Sequence, residues 1–251
     1  CFLFGCSKKE NGKEELALEF SDKAFANMIK KELKKDEIYQ SDLSEISGIM
    51  IAADRVLGLS GGGHTDKSVV LFGFDSFEYE DVRYTENGTI KTLEDLKYFP
   101  KLTSIRIYLL PNIDFNTIPN KGNIYNLGLS QNKLTNIEFL EGFDKLMYLS
   151  LSSNKIVNLS GIENVKNIKR LNLNSNDVAN ITLLKGFDNL ENLGLALLPD
   201  PIDVTGAAGA GAAGSGAGTG FGFGAGTCLS FISFNKSYFS EAINLFVFSS
   251  S

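Results

Sequence analysis

Between residues 124 and 190 the apolar residues return at spacings that fit neither a helical stripe nor strand alternation. Leu146, Leu149, Leu151, Ile156, Leu159, Ile162 and Val165, with Asn154 among them, make one unit. The same order recurs 22 residues later as Ile168, Leu171, Leu173, Asn176, Val178, Ile181, Leu184 and Phe187. One unit upstream stand Ile124, Leu127, Leu129, Asn132, Leu134, Ile137, Leu140 and Phe143. A helix would bring apolar positions back every three or four residues and a strand every two. A fixed period of 22 residues with eight matched positions identifies a stacked repeat instead.

The flanking copies keep the first part of the unit and lose the rest. Leu102, Ile105 and Ile107 precede Leu110, which takes the Asn position; Leu190, Leu193 and Leu195 precede Leu198, with Pro199 and Pro201 beyond. Terminal repeats decay in this way because they lack a neighbour on one side. Residues 102–198 are therefore five copies, and a half unit at Ile90, Leu93, Leu96 and Phe99 moves the expected start of the array to about residue 80.

In Leu-x-x-Leu-x-Leu the last two leucines point the same way along a strand, so the residues between and beside them face the other way. Aligning the copies puts Ser104, Asn126, Tyr148, Arg170 and Asn192 in one outward column. Arg106, Gly128, Ser150, Asn172 and Gly194 form a second, and Tyr108, Ser130, Ser152, Asn174 and Ala196 a third. A lone unit buries too little apolar surface to offset the ordering of its backbone, whereas stacking shares each apolar layer between neighbours. Asn132, Asn154 and Asn176 are expected to stack as a structural ladder, their amides bonding backbone groups where the chain turns out of each strand.

The unit resembles the leucine-rich repeat family, in the 22-residue form of bacterial internalin-like surface proteins and of a eukaryotic phosphatase regulator. The resemblance covers roughly residues 80–200. It implies an α/β fold: a curved solenoid with short parallel strands on the concave face, turns or 3-10 segments on the convex face, and a helical cap before the first repeat. Residues 20–79 fit that cap. Phe25, Met28, Ile29 and Leu33 share one helical stripe behind an N-cap at Ser21 or Asp22, and a second short helix begins at Ser41 and feeds Ile46-x-x-Ile49-x-Ile51, an echo of the strand signature. A partner-binding helix is the alternative reading of the first stripe.

The remaining segments differ in kind. Leu3-Phe4-Gly5-Cys6 resembles the lipobox of bacterial lipoproteins, apart from Phe4 where a small residue is usual. The resemblance implies lipidation of Cys6, with residues 1–19 a signal remnant and a charged, solvated tether. Residues 204–251 make a Gly/Ala-rich linker and a Phe-rich tail. Gly and Ala codons are GC-rich and the Lys, Asn and Ile upstream use AT-rich ones, so this tail reads as joined by a frameshift or fusion.

Composition narrows the function. With 251 residues, 43% of them hydrophobic, the chain has enough apolar material for a packed core. Its net charge of −6, with Lys and Arg interspersed among acids, argues against a nucleic-acid partner. Cysteines at positions 1, 6 and 228 make no disulfide framework. The run Gly58-Leu59-Ser60-Gly61-Gly62-Gly63-His64-Thr65-Asp66-Lys67-Ser68 has the wrong spacing for a phosphate-binding loop, and a strand, not a helix, follows; it reads as a mobile surface loop. His64 is the sole histidine and has no Cys nearby, so no catalytic residue, metal site or cofactor is expected.

What remains is the strand face. Arg106, Tyr108, Tyr148, Arg170, Asn172 and Asn174 combine large contact area with hydrogen-bonding capacity among small polar neighbours, the residue types of interface hot spots. The expectation is a non-catalytic scaffold binding a protein partner on its concave face, lipid-anchored in the bacterial cell envelope. A cytoplasmic adaptor or regulatory subunit is the alternative.

Overall fold

The computed structural model describes residues 7–10, 13–61, 70–72, 76–79 and 82–195. Cys6, His64, Ala196 and the segment 204–251 lie outside them. The charged run expected to be a solvated tether pairs as an antiparallel ribbon, β1 (Ser7–Glu10) with β2 (Lys13–Leu16). The Glu15 carboxylate ties it to the body by accepting from the backbone N–H and the hydroxyl of Ser41, both at 2.7 Å.

Helix α1 (Lys23–Leu33) starts at Asp22, whose carboxylate accepts from the backbone N–H of Ala24 at 2.8 Å and of Phe25 at 3.0 Å. Its other oxygen accepts from Lys91 N–H at 2.7 Å, so one cap also holds the approach to the first repeat. The buried Asp95 carboxylate returns the grip, accepting from the N–H of Ser21 and of Asp22, each at 2.8 Å. The buried face of α1, Phe25, Met28 and Ile29, joins the solenoid core, with Phe25 edge-on to Phe99 at 6.4 Å.

The rest of the cap is mostly strand. After the single turn of α2 (Gln40–Leu43), β3 (Ile46–Ala52) and β4 (Arg55–Gly61) form a hairpin. β3 lies parallel to β8 (Ser104–Tyr108), with Ile49 opposite Ile105 and Ile51 opposite Ile107, so the sheet begins inside the region assigned to the cap. The echo of the strand signature at Ile46, Ile49 and Ile51 is a repeat strand without its repeat. The Gly-rich run is strand, not loop, as far as Gly61. A separate antiparallel sheet follows, made of β5 (Val70–Phe72), β6 (Ser76–Tyr79) and β7 (Val82–Tyr84).

From β8 the sheet continues through β9 (Asn126–Gly128), β10 (Tyr148–Ser150), β11 (Arg170–Asn172) and β12 (Asn192–Gly194), all parallel, and β4 closes the other edge. Pairing runs Asn126 to Tyr148 to Arg170 to Asn192, one repeat per strand. Opposite the strands lie single 3-10 turns, among them Glu138–Leu140, Ile162–Val165 and Thr182–Leu184, which sit side by side. Their closing bonds recur in step: Leu140 N–H to Ile137 O, Ile162 N–H to Leu159 O and Leu184 N–H to Ile181 O, at 2.9 to 3.2 Å. One hydrophobic core runs from Phe25 to Leu195 between the two layers.

The chain leaves β8, β9, β10 and β11 through a left-handed residue, Leu109, Gln131, Ser153 and Ser175 in turn, with φ between 55° and 59°. This bend turns backbone groups into the interior, where the asparagines meet them. Asn154 Oδ1 accepts from the N–H of Asn132 at 3.0 Å and of Leu134 at 3.1 Å, while its Nδ2 donates to Leu129 O and Leu151 O, both at 2.8 Å. Asn132 serves Leu110 N–H and Ile107 O, and Asn176 serves Ile156 N–H, Leu151 O and Leu173 O.

Two predictions follow from these contacts. Asn154→Ala takes the side-chain partner from the N–H groups of Asn132 and Leu134 and from Leu129 O and should cost about 1 to 3 kcal/mol in urea unfolding; an unchanged midpoint would contradict the ladder. Burial pushes the Asp22 carboxyl up, but the backbone N–H groups of Lys91, Phe25, Ala24 and Thr92 outweigh it and hold the group below the ordinary carboxylate value. A lowered folded pKa gives stability that is complete above the unfolded value of about 3.9 and is lost as pH falls through the folded one. Wild type should therefore lose more stability than Asp22→Asn below about pH 4, and parallel pH profiles would rule this out.

Candidate functional site

The outward side chains of the sheet fall into two zones. At the N-terminal end, Met50 and Ala52 point away from the main core and pack with Leu57 and Leu109 into a second, smaller cluster, with Ala53, Tyr84 and Tyr108 against it. The Arg55 guanidinium stacks on the Tyr84 ring at 4.7 Å. Further along, Gln131 Nε2 donates to the Ser76 carbonyl at 2.8 Å, and both residues are buried. The β5–β7 sheet therefore touches the strand side of the array over its first repeats, and Tyr108 is part of the packing beneath it.

Arg106 lies between the zones. Gly128 makes room for it: a Cβ there would come 3.3 Å from Arg106 Cγ. The Ser130 hydroxyl is buried and lies 2.9 Å from Ser152 Oγ and 3.3 Å from Ser150 Oγ, a chain of small donors and acceptors crossing from β9 towards β10.

The open zone begins at β10. Tyr148 and Arg170 are exposed neighbours, with the guanidinium 5.5 Å from the ring centroid. Asn172 Oδ1 accepts from Asn174 N–H at 3.0 Å, and both side chains lean over Gly194, where a Cβ would come within 2.9 Å of Asn174 Oδ1 and 3.2 Å of Asn172 Oδ1. Of the six residues expected on a binding face, Tyr148, Arg170, Asn172 and Asn174 stand together in this zone. Arg106 and Tyr108 stand apart from them, beside the β5–β7 sheet.

The outward columns advance by one unit per strand, and the turns after β8, β9 and β10 each donate a backbone N–H to an asparagine of the following repeat. The array is a leucine-rich repeat solenoid. Among solved structures it is similar to an internalin C2 from Listeria monocytogenes str. 4b F2365, at 24% identity over 71% of this chain and 74% of that one, with a TM-score of 0.47. It is also similar to an internalin (inlF) of the same strain, at 21% identity over 69% of this chain and 56% of that one, with a TM-score of 0.39. No family model and no curated protein matches the chain.

One exposed aromatic residue beside the strands escaped the sequence reading. Tyr125, 44% exposed, precedes β9, and its carbonyl accepts from the N–H of Met147 and of Tyr148. Extending the repeat alignment one place upstream gives Thr103, Tyr125, Met147, Lys169 and Glu191, the column in which it stands. Asp22 and Lys121, titratable groups with shifted pKa values, lie elsewhere. Besides Asp22, burial pushes the Lys121 ammonium down against the opposing pull of Asp114 and Glu141, where it donates to the Phe139 carbonyl on the 3-10 side. Among the described residues no group of three His, Cys, Asp or Glu is placed to hold a metal ion.

Because Tyr148 and Arg170 sit in solvent on a finished sheet, removing either should leave folding nearly intact. An exposed cation–π contact is worth about 0.5 to 1 kcal/mol, so Tyr148→Ala and Arg170→Ala should each shift stability by no more than about 1 kcal/mol. A loss above about 2 kcal/mol would show that these residues serve the fold.

Proposed function

We propose that this solenoid is a non-catalytic scaffold whose open strand zone, from β10 to β12, binds a protein partner. The observation that supports this reading is the pairing of Tyr148 with Arg170 in solvent. Two side chains with large contact areas stand on a rigid sheet among Ser150, Ser152, Asn172 and Asn174, where neither is needed for packing. Rigid aromatic and arginine anchors among small polar neighbours are what interface hot spots require, and a sheet stiffened by the Asn ladder holds them without loss of order on binding.

The reading includes a membrane tether through a diacylglycerol on Cys6, supported by the Leu3-Phe4-Gly5-Cys6 sequence. Among the described residues no helix is long and apolar enough to cross a membrane. The tether is tested by intact mass and detergent partitioning of the protein expressed in bacteria from its full native gene. A diacylglycerol-sized addition lost in Cys6→Ser is expected; an unmodified, water-soluble product would put the cytoplasmic adaptor in its place.

A further inference from the structure

The open zone has a charge and a size that its place in the fold does not require. The described outward positions of the repeat strands carry Arg106 and Arg170 and not one Asp or Glu, on a chain whose net charge is −6. On the other side charges of both signs stand in or beside the 3-10 turns, Asp114, Glu138, Glu141 and Glu163 with Lys121, Lys166 and Lys185. Only the outward strand positions carry one sign, and it is opposite to the protein's overall charge. Arg170 forms no ion pair among the described residues, and its guanidinium rests on the Tyr148 ring, an arrangement that leaves the donor fork pre-positioned for a carboxylate. The neighbouring cation, Lys169, is answered by Glu191 at 3.7 Å.

Size sets the second limit. With the β5–β7 sheet against the first repeats, the open zone among the described residues spans β10 to β12, about 10 Å at the usual strand spacing. That width accepts about three residues of extended chain, far less than the face of a folded domain. Hydroxyl and amide groups of Ser150, Ser152 and Asn172 lie along it and suit the N–H and C=O groups of a peptide backbone.

Building on the binding reading above, we infer that the open zone takes an extended, acidic polypeptide segment, with an Asp or Glu side chain seated on Arg170 and Tyr148. The test is selection from a random peptide library displayed on phage against the full chain, followed by titration of the recovered synthetic peptides. Enriched peptides should carry Asp or Glu, lose at least 10-fold in affinity to Arg170→Glu, and weaken with added salt. Peptides that lose affinity to Tyr148→Ala but show no acidic residues and no response to Arg170→Glu would overturn the acidic inference and leave the binding face standing. Peptides indifferent to both substitutions, or no enrichment over an unrelated scaffold, would overturn both. Displacement of the acidic peptides by inorganic polyphosphate at equal charge concentration would reduce the zone to a bare anion site and overturn the peptide assignment.

Discussion

A chain that turns out of a strand every 22 residues must send unpaired backbone N–H and C=O groups into its own interior, where each orphan would cost about 1 to 3 kcal/mol. The asparagine at that turn carries both a donor and an acceptor on one short planar group, which lets it serve its own repeat and the preceding one together. Asn154 bonds N–H groups of the preceding repeat and carbonyls of both. Register follows: a slip of one residue would strand the ladder and turn every core leucine outward. The parallel strands, the aligned 3-10 turns and the outward columns all inherit their positions from this link.

A stack fixed in this way needs its ends closed, and the N-terminal end is closed in two ways. The β3–β4 hairpin supplies the strand that β8 would otherwise lack and puts an antiparallel edge on the sheet. The mutual grip of Asp22 and Asp95 fastens α1 across the first layer, joining elements more than 70 residues apart in the chain. Both carboxylates are buried and spend their lone pairs on backbone N–H groups, a stable arrangement because each satisfies donors at a helix start. The rigidity this provides is what allows Tyr148 and Arg170 to stand exposed in a fixed geometry.

The five strands were legible in the sequence because a local period reports them: Leu149, Leu151 and Asn154 recur whatever lies elsewhere in the chain; turns or 3-10 segments opposite them were what the leucine-rich repeat resemblance implied. The pairing of Ile49 with Ile105 could also be read, since Ile46, Ile49 and Ile51 repeat the strand spacing outside the array. The contact of β5–β7 with the strand side could not. It depends on contacts such as Gln131 with Ser76 between distant, non-repeating segments, and no periodicity records them. For that reason the sequence did not show that Tyr108, an outward position, packs half-buried against Met50, Ala52, Leu57 and Leu109. Tyr125 was hidden by alignment choice alone, standing one place ahead of the positions compared.

Amide hydrogen exchange followed by NMR tests the ladder most directly. The N–H groups of Leu110, Asn132, Leu134 and Ile156 lie outside the strands, and each donates to an asparagine side chain. The account predicts that they exchange as slowly as the strand amides of Leu149 and Leu171. Exchange at the rate of exposed turn positions such as Asn158 and Asn180 would contradict it.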